Sequence, residues 1–177
     1  CDLKGPKIRI EGFRNKQVQL RNGKSFVIDT TLGATDGTEE CVGTTYKSLP
    51  QDVRRGDVLL LDDGNIALRV ESVEGDRVNT RVVVGGVLSN HKGMNRQGGG
   101  LSAEALTAKD REDIDFVSEL GADFVGISFV RNADDIELAR ELIREAGSNA
   151  HIVAKVERRE AVDNIDSIIE AADVIMV

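Results

Sequence analysis

A change of hydrophobic period near residue 100 divides this sequence into two unlike halves. From Lys7 to about Val84 the apolar residues alternate with polar ones over short runs rich in β-branched side chains, a period-2 pattern of half-buried strands. Strands are expected over Lys7–Phe13, Gln17–Arg21, Ser25–Asp29, Asp57–Leu61, Ala67–Val73 and Arg77–Val84. Asn22-Gly23, Asp63-Gly64 and Glu74-Gly75-Asp76 read as hairpin connectors between them. This half predicts a small, mostly antiparallel β barrel or sandwich of roughly six to eight strands.

From Leu101 onward helical and strand periods alternate. Thr107 is placed to cap a helix with Ile114, Val117 and Leu120 on one face and Gly121 at its end. A buried strand follows over Ala122–Val130. Asn132 then caps a second helix with Ile136, Ala139, Leu142 and Ile143 inward, closed by Gly147. A strand over Ile152–Glu157, a helix from about Ala161 to Ala172 and a strand over Asp173–Val177 complete the pattern. Short links between alternating strands and helices predict parallel strands covered by helices, in a βα barrel or an open sheet. An eight-fold βα barrel needs ~250 residues, and about three such units are readable here, so the sequence is expected to be a portion of a longer chain.

Charge and composition narrow the function. The formal net charge of −8 argues against a general nucleic-acid surface, which needs a basic face. Aromatic residues make up 3% with no Trp, too few for a base-stacking platform. No apolar run is long enough to span a bilayer. The two cysteines, Cys1 and Cys41, have no spacing partner for a metal site or disulfide framework, which suits a reducing cytoplasm.

Three constellations could carry chemistry. In Ala154-Lys155-Val156-Glu157, residues two apart on a strand share a face roughly 6.5–7 Å apart. Lys155 and Glu157 would project together at the C-terminal end, the end that carries active sites in parallel βα folds. A cation there can hold a transferring phosphoryl group while the carboxylate binds a bridging divalent metal; the same spacing also suits a plain strand-end salt bridge. Around the turn Gly5-Pro6, Asp2 lies with Lys4, Lys7 and Arg9, and a guanidinium there could fork onto phosphate oxygens. Lys92 sits in Asn90-His91-Lys92-Gly93-Met94-Asn95, ahead of Gly98-Gly99-Gly100, which lacks the P-loop pattern and reads as a hinge. Asp62-Asp63-Gly64 reads as a turn before it reads as a metal site, and His91 and His151 share no ligand spacing.

Taken together these segments resemble the pyruvate kinase family. The resemblance runs through Asp2-Leu3-Lys4-Gly5-Pro6-Lys7-Ile8-Arg9, Gly43-Thr44-Thr45-Tyr46-Lys47, Leu60-Leu61-Asp62-Asp63-Gly64 and Gly85-Gly86. It continues through Lys92-Gly93-Met94-Asn95, Leu106-Thr107-Ala108-Lys109-Asp110, Ile127-Ser128-Phe129-Val130-Arg131 and Ala154-Lys155-Val156-Glu157. The run from Gly98 to Leu106 looks like the bacterial type II branch.

The resemblance implies a partial (β/α)8 TIM barrel, from its third to its sixth strand, with an inserted β-barrel lid. Residues 1–5 would end a barrel strand, 6–100 form the lid and 101–177 continue the barrel. The implied reaction moves a phosphoryl group from phosphoenolpyruvate to ADP, giving pyruvate and ATP in the last step of glycolysis. Lys155 would stabilise the transition state, Glu157 would bind Mg²⁺ (or Mn²⁺), and Arg9 and Lys92 would contact nucleotide phosphates. The family's second metal carboxylate follows the sixth strand, beyond Val177, so this stretch is expected to be inactive by itself. Most potassium-dependent members of the family carry Thr and Glu where Leu3 and Lys7 stand here. Lys7 would then replace the potassium charge, with Asp2, the monovalent-cation position, as its partner, and K⁺ would not be required; Ile10 fits the same pattern. A cytoplasmic homotetramer without nucleic-acid or membrane partners is the implied setting. The readings set against this one are a metal-dependent lyase of pyruvate-like substrates on a related barrel, and a nucleotide-binding β module without catalysis.

Overall fold

The computed structural model describes residues 1–177 and divides them into two compact units. One is discontinuous, Cys1–Pro6 with Ala103–Val177, and the other is the continuous segment Lys7–Ser102. After β1 (Asp2–Leu3), the β unit contains β2 (Gln17–Leu20), β3 (Ser25–Asp29), β4 (Cys41–Gly43), the short helix α1 (Leu49–Asp52), β5 (Val58–Leu61), β6 (Ile66–Glu74), β7 (Arg77–Val84), β8 (Gly86–Ser89) and β9 (Met94–Arg96). Six of these strands form one sheet in the order β4-β3-β7-β6-β5-β9, while β2 pairs with β8. All pairings are antiparallel except β3 with β4. The alternation read from the sequence sends Phe26 and Ile28 of β3, Leu59 and Leu61 of β5 and Leu68 of β6 into a common core, each essentially inaccessible to water.

Two expectations for this unit need correction. Asn22-Gly23 does not join a paired hairpin, because β2 pairs only with β8 and β3 lies between β4 and β7. Lys7–Phe13 is not a regular strand. Arg9 bridges to Gly93 beside β9, Ile10 to Thr44 just past β4, and Phe13 to Gly37. This segment therefore links the two outer strands of the six-stranded sheet, and a chain serving both cannot keep one ladder. The backbone amide of Met94 donates to the Ile8 carbonyl (3.0 Å), so the residues entering the unit are bonded to residues near its exit. Leu101 is 3% exposed within the β core, and Asp52 accepts from both the amide and hydroxyl of Ser102 (2.7 and 3.1 Å).

The second unit adds α2 (Ala108–Glu119), β10 (Phe124–Ile127), α3 (Ala133–Glu145), β11 (His151–Lys155), α4 (Arg159–Asp163), α5 (Ile165–Ala171) and β12 (Val174–Met176). Its four strands form an all-parallel sheet ordered β1-β10-β11-β12. Leu3, Ile127, Ile152 and Ala154 pack there with Ile114, Ile136, Ala139 and Ile143 of the helices. Thr107 and Asn132 cap α2 and α3 as their sequence positions predict. Leu120, at the C-cap of α2, is 61% exposed rather than inward. The helix expected over Ala161–Ala172 is two, because Asn164 leaves helical geometry and its side chain donates to the Arg131 carbonyl (3.0 Å). No helix is long and apolar enough to cross a membrane.

Candidate functional site

Lys155 is the last residue of β11, so its side chain emerges where the parallel strands end. Glu157 lies beyond the strand, yet its Oε1 is 3.6 Å from Lys155 Nζ, and the two groups do face each other. Asp2 comes from β1, two strands away in the sheet, and places both carboxylate oxygens 3.3 and 3.1 Å from the same ammonium. The intervening strand makes this reach available through Gly126, which stands opposite Asp2. A Cβ there would lie 2.9 Å from Asp2 Oδ1. Lys155 also donates to Ser128 Oγ (3.0 Å), and Ser128 in turn donates to the Leu3 carbonyl (2.7 Å). The lysine side chain is 17% exposed against 64% for Asp2 and 36% for Glu157, so its ammonium is the shielded member and both acids stay open to solvent.

The loop after β10 holds Glu157 from the other side. Phe129 has φ of 59°, a conformation costly for a bulky residue. Its amide donates to Glu157 Oε2 (3.0 Å). The turn after β1 is fixed by Asp110, which is 1% exposed and completes the capping box of α2. One Asp110 oxygen accepts from the Gly5 amide (3.0 Å) and the other from the Thr107 amide (2.8 Å). Gly5 has φ of +62°, and a Cβ on it would sit 3.2 Å from atoms of both Ser128 and Phe129, so a side chain here would be both strained and tightly packed.

In the β unit, Arg9 and Lys92 are neighbours. Arg9 Nη1 donates to the His91 carbonyl (2.7 Å), and the Ile10 amide to the Lys92 carbonyl (3.0 Å). Lys92 Nζ lies 2.7 Å from Asp62 Oδ1, and this hydrogen bond is the main reason the Asp62 carboxyl is held below its usual range. Asp62 and Asp63, both with positive φ, form the turn between β5 and β6. Asp62 thus orients a cation, a role that its Asp-Gly context did not suggest. Lys7 is exposed, with its carbonyl accepting from Thr45 Oγ1 (3.0 Å), and the carboxylate of Asp2 is engaged by Lys155. The predicted residues therefore fall into two groups, Lys155, Glu157 and Asp2 in one unit and Arg9, Lys92 and Lys7 in the other. Ser128 and Asp110 were not singled out by spacing, for they touch backbone 125 and 105 residues away, beyond any local pattern.

The family model for the pyruvate kinase barrel domain matches residues 1–177. A pyruvate kinase of Haemophilus influenzae is 54% identical over 179 residues, covering 99% of this chain and 37% of the relative. Pyruvate kinase II of Salmonella typhimurium is 52% identical with the same coverage. A pyruvate kinase of Mycobacterium tuberculosis is 44% identical over 177 residues, covering 100% of this chain and 37% of the relative. The chain thus spans little more than a third of the length of these curated relatives. A match along the whole chain, together with strand-end Lys155 and Glu157 in a parallel half-barrel sheet, makes this chain a member of the pyruvate kinase family.

Proposed function

We propose that the chain carries part of the site of a phosphotransferase that moves the phosphoryl group of phosphoenolpyruvate to ADP, giving pyruvate and ATP in glycolysis. The observation that carries this reading is the convergence of Asp2, Ser128 and Glu157 on the shielded Lys155 ammonium at the end of a parallel sheet. Phosphoryl transfer spreads negative charge over the oxygens of the group in transit, and the enzyme's task is chiefly to position and neutralise it. A lysine held in place with little water around it meets that charge without reorganising, which is where such donors have most effect.

Arg9 and Lys92 suit the nucleotide phosphates, the planar guanidinium as a fork and the ammonium as a point charge. Asp62 keeps Lys92 oriented until the phosphates compete for it. Glu157 is a hard oxygen donor that is partly open to solvent, and no cluster of three or more acidic, His or Cys side chains surrounds it. That suits Mg²⁺ (or Mn²⁺), which keeps much of its water and takes one or two carboxylates beside substrate oxygens. When bound by Glu157 the ion would neutralise charge on the transferring group.

In the finer reading the four parallel strands are the third to sixth of a (β/α)8 barrel, and the β unit is a mobile lid that excludes water on closing. Lys7 takes the place of the potassium charge, with Asp2 at the monovalent-cation position. The lyase and binding-only readings have no counterpart among the relatives named above. A cytoplasmic homotetramer completes the proposal. The test is pyruvate formation by the full-length protein given phosphoenolpyruvate, ADP and Mg²⁺, with K⁺ present or rigorously replaced. Turnover in both conditions is expected. Turnover only with K⁺ removes the role given to Lys7, and no pyruvate from a folded protein removes the kinase reading.

A further inference from the structure

We infer that Ser128 is the positioning residue for Lys155, holding its ammonium by a neutral contact that remains when anionic substrate arrives. The inference rests on the phosphotransferase reading above. The hydrogen-bond directions are determined by chemistry: a carbonyl only accepts and an ammonium only donates. The Ser128 proton must therefore point at the Leu3 carbonyl 2.7 Å away, leaving an Oγ lone pair for Lys155 at 3.0 Å. The chain of donors runs from β11 through the turn just after β10 to β1, and Ser128 and Leu3 are 4% and 2% exposed. The hydroxyl is thus locked by packing in the turn just after the central strand of the three.

The other contacts of Lys155 behave differently. Asp2 and Glu157 are acids, so they attract the ammonium but also repel an incoming phosphoryl group. When that group binds, the ammonium must turn part of its donor capacity from the carboxylates towards it. A lysine has a long flexible stem with three rotatable donors, and without a fixed neutral point it would leave the carboxylates with its position undefined. Ser128 supplies that point. Its contact stays in place as substrate binds, so it acts by fixing where the ammonium stands when charge develops on the group in transit, which bears on the chemical step more than on affinity.

The experiment uses the full-length protein with Ser128→Ala, Ser128→Cys and Ser128→Thr. Initial rates are measured with phosphoenolpyruvate, ADP and Mg²⁺, alongside the melting temperature of each variant. The expected result for Ser128→Ala is a roughly ten- to hundred-fold fall in kcat, the size of losing one bond to a charged group, with both KM values within about threefold. Ser128→Cys, which fills the site but accepts weakly, should fall similarly while keeping its melting temperature. Ser128→Thr should recover much of kcat. A kcat for Ser128→Ala or Ser128→Cys within about twofold of the parent overturns the inference. So does a loss that tracks only the melting temperature, or a rise in KM with kcat unchanged. If the parent itself makes no pyruvate, the phosphotransferase reading fails and takes this inference with it; if the parent turns over and Ser128→Cys matches it, only the inference fails.

Discussion

Replacing Asp110 with Ala tests the buried contact that fixes the turn after β1. Asp110 accepts from the Gly5 amide, the Thr107 amide and the Thr107 hydroxyl while being 1% exposed. Removing the carboxylate leaves the buried Gly5 amide without an acceptor, which costs about 1–3 kcal/mol. Losing the reciprocal arm of the capping box adds about 1 kcal/mol. The total is about 3 kcal/mol, and since 1.4 kcal/mol is a tenfold change, amide exchange governed by opening of this turn should accelerate roughly a hundred-fold. Hydrogen exchange followed by mass spectrometry on the full-length protein reads this directly, in peptides covering Gly5 and the start of α2. Asp110→Asn keeps one acceptor oxygen but turns an amide group towards Thr107, so its acceleration should be smaller, on the order of tenfold. Acceleration below about threefold in Asp110→Ala would refute the reasoning, because it would mean that water replaces the carboxylate at no cost. Uniform acceleration across the chain would refute it too, since the predicted effect is local.

Two further outcomes follow from the titrating groups. Burial, followed by its hydrogen bond to Asp52, holds the Tyr46 phenol above its ordinary value of 10.0; the phenolate absorbance, taken as the difference from Tyr46→Phe, should therefore reach its midpoint above that pH, and Asp52→Asn should lower the midpoint. A midpoint at or below 10.0 would contradict the network. Asp173 is held below 3.8, first by the Ile152 amide (2.8 Å) against the opposing effect of burial, then by Arg140 and His151. Its folded-state value is lowered, so its stabilisation is present above that ordinary value and is lost as pH falls through the depressed one. The stability gap between the protein and Asp173→Asn should accordingly close as pH drops below about 4, read from urea unfolding at several pH values, and a gap constant with pH would exclude the linkage.

Which parts of this structure the sequence made readable depends on how local their causes are. The strands β3 and β7 fall at the residues where alternation predicts them, and α2 and α3 start at the caps Thr107 and Asn132, because alternation and capping are properties of neighbouring residues. The strands β4, β8 and β9 were missed, being three or four residues long and held by partners rather than by pattern. Lys7–Phe13 has strand-like composition, but its residues serve several partners in turn. At the site, Lys155 and Glu157 could be paired from a two-residue spacing, whereas Asp2 meets Lys155 across 153 positions. Ser128 and Asp110 stood in motifs carrying the family resemblance, yet only the sheet order shows what they hold.

The bond between Ile8 and Met94, at opposite ends of the β unit, bears on how the chain finds its fold. Pairing Asp2 with Gly126 in the parallel sheet requires an unfolded chain to close a loop of roughly 120 residues. If the β unit folds first, its joined ends remove most of that loop and leave roughly 30–40 free residues, saving about 1 kcal/mol of closure entropy. The saving falls on the slowest kind of contact, a parallel pairing between distant strands. Early folding of the inserted segment would thus speed assembly of the sheet that it interrupts, and its closed ends explain how a parallel layer tolerates nearly a hundred intervening residues.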